Sequence, residues 1–373
     1  MTDTPFYRYD IGLLRRTLDE LRELAGSRCH IHYAIKANSN PLLLKHIKEY
    51  GLGIDCVSGG EVKAALDAGF PPSSIVFAGV GKADWEIDLA LENDIFCINV
   101  ESAPELEIIQ ERAHSLGKKA RIAFRVNPDV DAHTHSNITT GIAGNKFGID
   151  LNMLDGIIAK ALGMDSVIVD GLHFHIGSQI LDMEPFRKLC LRINEIQDRL
   201  QENGFTAGHI NVGGGLGVDY TDPDNNPIAD FRNYFGIFRN NLKLRPGQEL
   251  HFELGRSIVA QCGQLITRVL YVKKNPLKQF AITDAGMTDL IRPALYGAYH
   301  RIDNISNPDG RLQVYDVVGP ICESSDTFGK DRELPEIRRG DLLAIKSAGA
   351  YGESMASCYN LRTLPRSESF ESD

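Results

Sequence analysis

The chain has 373 residues, of which 43% are hydrophobic and 24% are charged, and its formal net charge at pH 7 is -10. These proportions are typical of a globular protein, and no apolar run approaches the roughly 20 residues needed to cross a bilayer. The acidic balance argues against a nucleic-acid-binding surface, which requires a basic stripe. Seven cysteines without metal-ligand spacing, and a start without secretory features, predict reduced thiols and a cytoplasmic protein.

Short β-rich runs alternate with helix-like segments over the first two thirds of the chain, which is the pattern of βα units in a parallel sheet. Eight strands are predicted, over 31–35, 53–57, 75–78, 96–100, 121–126, 169–175, 209–212 and 249–253. Helices are predicted between them, over 41–50, 60–68, 83–92, 103–116, 154–162, 184–203 and near 230–240. The α/β pattern therefore predicts a closed (β/α)8 barrel of the TIM type, with an open doubly wound sheet as the competing architecture.

After Arg256 the pattern changes to strand-like runs without long helices, over 258–272, 279–283, 313–318 and 342–347. These runs predict a second, mainly β domain. Residues 5–9 are predicted to add a strand to it, and the polar tail over 363–373 is predicted to fray. The predicted domains are 25–255 for the barrel, and 1–24 together with 256–373 for the β domain.

Chemically distinctive residues fall at the carboxyl ends of the predicted barrel strands. They are Lys36, Asp55, Arg125, His173, His175, the run Gly213, Gly214 and Gly215, and Glu253. These strand ends form one face of a barrel, the face on which active sites are built. We therefore expect residues that are far apart in the sequence to converge there.

Lys36 has two interpretations. An amine at the end of a buried strand is desolvated, and a partly neutral amine can form a Schiff base; alternatively, the side chain simply extends to water. The glycine run after the seventh strand is consistent with a phosphate site made of bare backbone N–H groups, or with a tight βα turn. Gly255 and Arg256, after the eighth strand, would add to a phosphate site.

Glu253 needs a partner if it is buried at the end of the eighth strand. It could be a structural partner of Arg256 or Lys146, or, beside a Schiff-base lysine, it could keep a pyridine nitrogen protonated. His175 could lie flat against such a ring or be a hydrogen-bonded core histidine. His133 and His135 lack a third ligand at suitable spacing, and we interpret them as loop residues and not as a metal site.

Eight motifs occur in a fixed order along the chain. They are YAIKAN at 33–38, DCVSGGE at 55–61, HFHIGSQ at 173–179, GGGLG at 213–217, ELGR at 253–256, RPALY at 292–296, CESSD at 322–326 and AGAYG at 348–352. Together they resemble the group IV, fold-type III pyridoxal-phosphate decarboxylases and, within these, the diaminopimelate decarboxylases. The resemblance implies an alanine-racemase-like fold, in which a pyridoxal-phosphate-binding barrel is joined to a Greek-key-like β domain.

The resemblance also implies a role for each matching residue. Lys36 would form the Schiff base with pyridoxal 5'-phosphate, His175 would stack on its ring, and Glu253 would pair with the pyridine nitrogen. Residues matching positions that hold the cofactor's phosphate and its surroundings are Asp55, Ser178, Gly213, Gly214, Gly215, Gly255, Arg256 and Tyr351. Residues matching substrate contacts are Arg256, Arg292, Tyr296, Glu323 and Tyr351. Cys322 matches the proton donor, and in the family the Cys322–Glu323 segment comes from the other subunit of a homodimer.

The implied activity is that of a carboxy-lyase, which decarboxylates meso-2,6-diaminopimelate at its D-centre to L-lysine and carbon dioxide in the last step of lysine biosynthesis. Neither nucleic acid nor a membrane is an expected partner. The alternatives are an ornithine, lysine or arginine decarboxylase of the same fold, or a non-catalytic cofactor carrier or regulator; alanine racemase is disfavoured because its tyrosine motif is missing. Arg292 favours diaminopimelate, because the rival substrates lack a distal carboxylate. Two positions depart from the family pattern: Leu254 replaces a proline and Glu353 replaces an aromatic residue.

Overall fold

A computed structural model describes residues 3–26, 28–130 and 146–372. The described residues divide into two compact units. The barrel unit comprises 18–217 and 230–255, and the β unit comprises 1–17, 218–229 and 256–373. His133 and His135 lie outside the described residues. No helix in the described ranges is long and apolar enough to span a membrane.

The chain starts with strand β1 (Phe6–Asp10) and helix α1 (Ile11–Ala25). Eight parallel strands then close into a barrel, which confirms the predicted architecture and excludes the open sheet. They are β2 (Cys29–Ala34), β3 (Gly53–Cys56), β4 (Ile75–Phe77), β5 (Cys97–Val100), β6 (Ala120–Arg125), β7 (Val167–His173), β8 (His209–Asn211) and β9 (Glu249–Leu254). The helices between them are α2 (Pro41–Glu49), α3 (Gly59–Asp67), α4 (Asp84–Glu92), α5 (Ala103–Ser115), α6 (Leu151–Leu162), α7 (Glu184–Glu202) and α8 (Phe231–Asn241).

Local sequence signals determine where several of these helices begin. The side chains of Asn40, Ser58 and Ser102 accept hydrogen bonds from the first turns of α2, α3 and α5. Such caps satisfy backbone N–H groups that have no partner inside the helix. They place each helix start immediately before the apolar positions that face the barrel.

Two predicted barrel strands end earlier than expected. Strand β2 stops at Ala34, and Ile35–Ala37 forms a turn of 3-10 helix, so Lys36 lies on that turn and not on the strand. Strand β7 stops at His173, so His175 lies in the following loop. In both cases the site residue lies on a connection at the carboxyl end of the barrel, where side-chain direction is not set by the strand alternation.

The β unit contains helix α9 (Arg256–Val259), strands β10 (Gly263–Lys274) and β11 (Gln279–Thr283), helix α10 (Arg292–Tyr296) and five further strands. These strands are β12 (Ile302–Asn304), β13 (Leu312–Val318), β14 (Thr327–Pro335), β15 (Leu342–Ile345) and β16 (Arg366–Phe370). The sheet runs in the order β12-β15-β10-β11-β13-β14, and β1 pairs with both β10 and β16. The mainly β character is confirmed, and so is the added strand near residues 5–9.

Two predictions for the β unit are wrong. The run predicted as a strand from residue 258 begins as helix α9, and the strand starts only at Gly263. The polar tail was expected to fray, but Arg366–Phe370 pairs in parallel with β1 along five residues. The tail is ordered because β1 offers the edge, and the polar side chains of β16 do not prevent backbone pairing.

Candidate active site

Lys36 and Asp55 lie at the carboxyl ends of neighbouring barrel strands, where the Lys36 Nζ atom is 3.4 Å from Asp55 Oδ2. The Asp55 side chain is 1% exposed, whereas that of Lys36 is 39% exposed. Burial raises the pKa of Asp55 to about 8, and the negative charge of Glu253 adds to this effect while Lys36 opposes it. A neutral Asp55 can donate a hydrogen bond at neutral pH, which an ionised carboxylate cannot.

Glu253 is buried at the end of β9 and is surrounded by hydrogen-bond donors from three other strands. His173 Nε2 lies 2.9 Å from its Oε2, and Asn211 Nδ2 and Asn99 Nδ2 donate to its Oε1 at 2.7 and 3.3 Å. Burial alone would raise the pKa of Glu253, but the charge and hydrogen bond of His173, together with Lys36 and His175, outweigh it, and we infer a pKa below the usual range. An ionised carboxylate offers about four acceptor positions, so three donors leave room for one more.

His175 lies in the loop after β7 and is partly accessible. Loss of ring hydration, with the positive charges of Arg125 and Lys36, lowers the pKa of His175 well below its usual value. The backbone N–H of Gly214 donates to His175 Nδ1 at 3.3 Å, which a neutral ring can accept. A neutral imidazole held in this way presents a flat aromatic surface without a charge.

The glycine run after β8 makes very close backbone contacts. A Cβ atom at Gly214 would lie 2.0 Å from the Glu253 carbonyl oxygen, and at Gly213 it would lie 2.4 Å from the Phe174 carbonyl oxygen. Gly215 has φ +105°, a conformation that favours glycine, and its Cβ would lie 2.7 Å from the Gly177 carbonyl oxygen. Close packing of strand ends is therefore sufficient to explain glycine here, and it brings the loop backbone beside Glu253.

In the β unit, two buried arginines share an aromatic neighbour, Tyr220. Arg256 Nη1 donates to Tyr220 Oη at 2.7 Å, and the Arg292 guanidinium lies 4.6 Å from the centre of the Tyr220 ring. The Arg256 guanidinium also lies 4.8 Å from the centre of the Tyr351 ring. Aromatic faces attract these cations without neutralising them.

A buried histidine holds Arg292 in place. His300 Nδ1 lies 2.9 Å from the Lys346 carbonyl oxygen and must donate to it, so His300 Nε2 accepts from Arg292 Nη1 at 2.8 Å. Burial, with the charge of Arg292 beside it, lowers the pKa of His300 to about 3, so the ring is a neutral acceptor. Among the described residues, no carboxylate lies within ion-pair distance of Arg292, although its residue surface is only 5% exposed. Burial is also the main cause of a lowered pKa for Arg292.

The remaining predicted residues of the β unit are more accessible. Cys322 and Glu323 lie on an exposed turn between β13 and β14, where the Cys322 N–H donates to Asn360 Oδ1 at 3.0 Å. Tyr296 ends α10 and is half-buried, and Tyr351 is half-buried with a left-handed φ of 56°. In the barrel unit, Ser178 is half-buried after β7, and Gly255 directly follows β9.

Both departures from the family pattern have local explanations. Leu254 is fully buried and extends β9 by pairing with Tyr33, a strand position in which proline would lack the N–H. Glu353 accepts a hydrogen bond from Tyr9 Oη at 2.5 Å, which ties it to strand β1.

Sequence reasoning assigned no role to five residues that hold the predicted ones. They are Asn99, Asn211 and His173 around Glu253, and Tyr220 and His300 around Arg292. His173 was noted only for its place at a strand end. Asn211 ends β8 and Asn99 is the last residue but one of β5, so a search for amides as well as charges at the strand ends would have found them.

The family model for the pyridoxal-binding domain of pyridoxal-dependent decarboxylases matches residues 12–260. The chain belongs to the pyridoxal-dependent decarboxylase family. Curated relatives include the diaminopimelate decarboxylase of Bacteroides thetaiotaomicron, 60% identical over 97% of this chain and 94% of that protein. A second is the diaminopimelate decarboxylase of Helicobacter pylori strain J99, 46% identical over 96% of this chain and 88% of that protein.

Solved structures agree with this membership. Diaminopimelate decarboxylase from Helicobacter pylori, complexed with L-lysine, is 43% identical and superposes with a TM-score of 0.94 over 100% of this chain and 92% of that one. A lysine/ornithine decarboxylase from Vibrio vulnificus, complexed with cadaverine, has a TM-score of 0.86 over 99% of this chain and 95% of that one, but is only 20% identical, so it supports the fold alone.

Members of this family use pyridoxal phosphate, and the barrel unit has groups that suit it. Asp55 Oδ1, Asn99 Oδ1 and His173 Nδ1 are buried and have no hydrogen-bond partner among the described residues. Glu253 retains one acceptor position, which suits a protonated ring nitrogen. Lys36 supplies an amine for an aldehyde, and the glycine loop supplies closely approaching backbone for a phosphate. The residues present therefore fit the cofactor.

Proposed function

We propose that this protein decarboxylates meso-2,6-diaminopimelate at its D-centre, giving L-lysine and carbon dioxide as the last step of lysine biosynthesis. The relatives that are 60% and 46% identical bear that activity in their names. The proposal rests on Arg292, a buried guanidinium with no carboxylate partner among the described residues. Diaminopimelate brings a second carboxylate, whereas ornithine, lysine and arginine bring none at their distal ends.

The guanidinium of Arg292 is held in an orientation that suits a planar anion such as a carboxylate. His300 takes one of its N–H groups and Tyr220 supports the face of the guanidinium, so the remaining N–H groups are held in a fixed orientation. A guanidinium fork can donate to both oxygens of a carboxylate. We assign to Arg292 the binding of the distal carboxylate, which is not lost, and to Tyr296, Tyr351 and Glu323 further substrate contacts. Glu323 would bind the distal ammonium.

In the barrel unit, the proposed roles concern how the cofactor is held and kept electron-withdrawing. When bound, pyridoxal phosphate would supply an electron sink for the electron pair left by the departing carbon dioxide. Lys36 would hold its aldehyde carbon, and Glu253, kept ionised by its three donors, would retain a proton on the ring nitrogen. His175, neutral and flat, would support one face of the ring, and Asp55 would donate a hydrogen bond beside Lys36.

The phosphate is assigned to backbone and side-chain donors by the family resemblance. The assigned residues are Ser178, Gly213, Gly214, Gly215, Gly255, Arg256 and Tyr351. Arg256 is a buried guanidinium that donates to Tyr220 Oη and lies over the Tyr351 ring, which fixes its orientation. We retain as a proposal that the barrel domain spans 25–255 and that the remaining residues form the β domain.

Carbon dioxide departs from the α-carbon of the D-centre, and a proton must replace it. We assign this proton to the Cys322 thiol, which is exposed on its turn. An exposed donor requires a covering surface to act inside a water-poor site, and we propose that the partner subunit of a homodimer provides that surface. Mixing Lys36→Ala with Cys322→Ala protein tests this: recovered activity supports shared sites, and no recovery contradicts them.

The experiment that tests the function measures carbon dioxide release by the purified protein with added pyridoxal phosphate. The substrates compared are meso-diaminopimelate, L-ornithine, L-lysine and L-arginine, and Lys36→Ala is the negative control. We expect turnover of diaminopimelate alone, and none by the variant. Preference for a diamine would overturn the assignment of Arg292, and cofactor binding without turnover of any substrate would favour a carrier or regulator.

A further inference from the structure

A cluster of histidines occupies the amino end of the barrel, opposite the strand ends that carry Lys36 and Glu253. His30 and His32 lie on β2, His251 lies on β9, and His30 and His251 are register partners across the seam where the first and last barrel strands pair. The His30 and His251 rings stack with centroids 4.7 Å apart. Glu249, two residues before His251, lies on the same face of β9. None of these residues has a role in the proposed decarboxylation.

The protonation of His251 follows from a chain of hydrogen bonds. His32 Nδ1 lies 3.2 Å from the Ser74 carbonyl oxygen and must donate to it. His32 is only 4% exposed, and burial favours its neutral form, so its Nε2 is an acceptor. His251 Nδ1 lies 2.9 Å from that atom and therefore carries the proton. This leaves a lone pair on His251 Nε2.

The lone pair of His251 Nε2 faces a carboxylate. Glu249 Oε2 lies 3.6 Å away, beyond hydrogen-bond distance, and His251 Nε2 has no hydrogen-bond partner among the described residues although its side chain is 98% buried, 2% being exposed. Glu249 Oε1 lies 3.6 Å from His30 Nε2. His251 is buried whereas the Glu249 side chain is 54% exposed, and two electron-rich atoms at this distance repel unless a cation lies between them.

We propose that His30, Glu249 and His251 form a binding site for a divalent transition-metal ion. Their three ligand atoms lie within 4.8 Å of one another. Ligands about 2.0–2.1 Å from a tetrahedral Zn²⁺ are roughly 3.3 Å apart. Each histidine lies 3.6 Å from a different oxygen of Glu249, and the three ligand atoms lie within 4.8 Å of one another, so the exposed His30 and Glu249 side chains must move inward to bind one ion. Two imidazoles and one carboxylate suit Zn²⁺, Co²⁺ or Ni²⁺ better than Mg²⁺ or Ca²⁺, which prefer oxygen ligands.

The surroundings of the three residues support a metal. The His251–His32–Ser74 relay is the outer-shell arrangement that orients a metal-binding histidine, because the distal ring nitrogen donates its proton and leaves the other nitrogen free to bind. The His30 and Glu249 side chains are 47% and 54% exposed and border a cavity of about 450 Å³, which gives an ion a way in. The ion would join β2 to β9 at the closing seam of the barrel, so its role is structural.

The test uses the full-length, cofactor-loaded protein after treatment with a chelator and dialysis. Zn²⁺ binding is followed by calorimetry, bound metal is counted by elemental analysis, and the melting temperature is measured with and without Zn²⁺. The variants are His30→Ala and Glu249→Gln, both at half-exposed positions that should not prevent folding, with His114→Ala on the exposed face of α5 as the matched control. Circular dichroism checks the fold of each.

We expect one Zn²⁺ per chain in the wild type and in His114→Ala, bound at least tenfold more weakly in His30→Ala and Glu249→Gln. Mutation of ligands and of their outer-shell partners typically has effects of this size or larger. Zn²⁺ should raise the melting temperature of the wild type more than that of either ligand variant. Equal affinity in His30→Ala and the wild type would overturn the proposal, and so would the absence of stoichiometric binding by the wild type.

Discussion

Replacing Arg292 by methionine tests the claim that a buried guanidinium selects the substrate. In the structure Arg292 donates one hydrogen bond to His300 and lies over the Tyr220 ring, and no carboxylate in the described residues neutralises it. A substrate carboxylate would receive two charge-assisted hydrogen bonds, each worth about 1.5–3 kcal/mol. Because the two hydrogen bonds are not additive, we expect Arg292→Met to lose about 3–4 kcal/mol of transition-state binding free energy, which corresponds to a fall of roughly 100- to 1,000-fold in kcat/KM.

The assay is steady-state carbon dioxide release from meso-diaminopimelate, with kcat and KM determined separately. Because the distal carboxylate is far from the bond that breaks, most of the change should fall in KM unless binding energy is used to orient the reacting centre. Arg292→Lys keeps the charge but loses the fork and the His300 hydrogen bond, so its kcat/KM should lie between those of methionine and the wild type.

The control for these variants is Arg268→Met, because Arg268 lies on β10 and donates to the Gly340 carbonyl oxygen. Its kcat/KM should remain within about threefold of the wild type. An unchanged kcat/KM in Arg292→Met, in a protein that retains its fold, would refute the assignment of the distal carboxylate to this residue.

Three further predictions concern stability. Gly214→Ala should lower the free energy of unfolding in urea by about 1–3 kcal/mol or more, because the added Cβ would lie 2.0 Å from a backbone oxygen. Its matched control is Gly236→Ala in α8, where the space around the added Cβ is open, and this variant should raise the free energy of unfolding by about 0.5–1 kcal/mol. In cofactor-free protein, the pKa of Asp55 is raised from 3.8 to about 8, so its contribution to folding stability is complete below pH 3.8 and is lost as the pH rises to 8. The unfolding free energy of Asp55→Asn, relative to that of the wild type, should therefore be higher at pH 8 than at pH 4. A difference that does not change with pH would contradict this. The pKa of Glu253 is lowered below its ordinary 4.5, so its contribution to folding stability is present above pH 4.5 and is lost as the pH falls further. Glu253→Gln should remove this part of the loss of stability in acid. An unchanged acid-unfolding profile would count against an ionised Glu253.

The order of strands and helices was predictable from the sequence because it depends on near neighbours. Apolar runs of strand length separated by capped, amphipathic segments specify βα units, and eight of them close into a barrel. The positions of Lys36 and Glu253 at strand ends follow from the same pattern. Several element boundaries differ from the prediction by a few residues at either end, as with helix α6, which begins at Leu151, and the turn at Ile35–Ala37.

Two wrongly predicted segments of the β unit show that the local sequence pattern does not reveal which distant strands will pair. Residues 366–369 are polar and have no strand-like alternation, yet with Phe370 they form a strand because β1, from the other end of the chain, offers an unpaired edge. Ile258 and Val259 are apolar and are predicted to begin a strand, yet they belong to helix α9. Pairing between distant segments overrides weak local preference in such cases.

The charge state of the site was decided only by the tertiary structure. Glu253 is a lone acidic residue in the sequence, and its ionised state depends on His173, Asn99 and Asn211, which reach it through the register of the barrel strands. The sequence likewise does not show that Arg292 is buried without a carboxylate partner; this follows from the fold, in which His300 and Tyr220 hold its guanidinium. The sequence determines which groups are available, but their protonation and orientation depend on burial and on partners that only folding brings within hydrogen-bond distance.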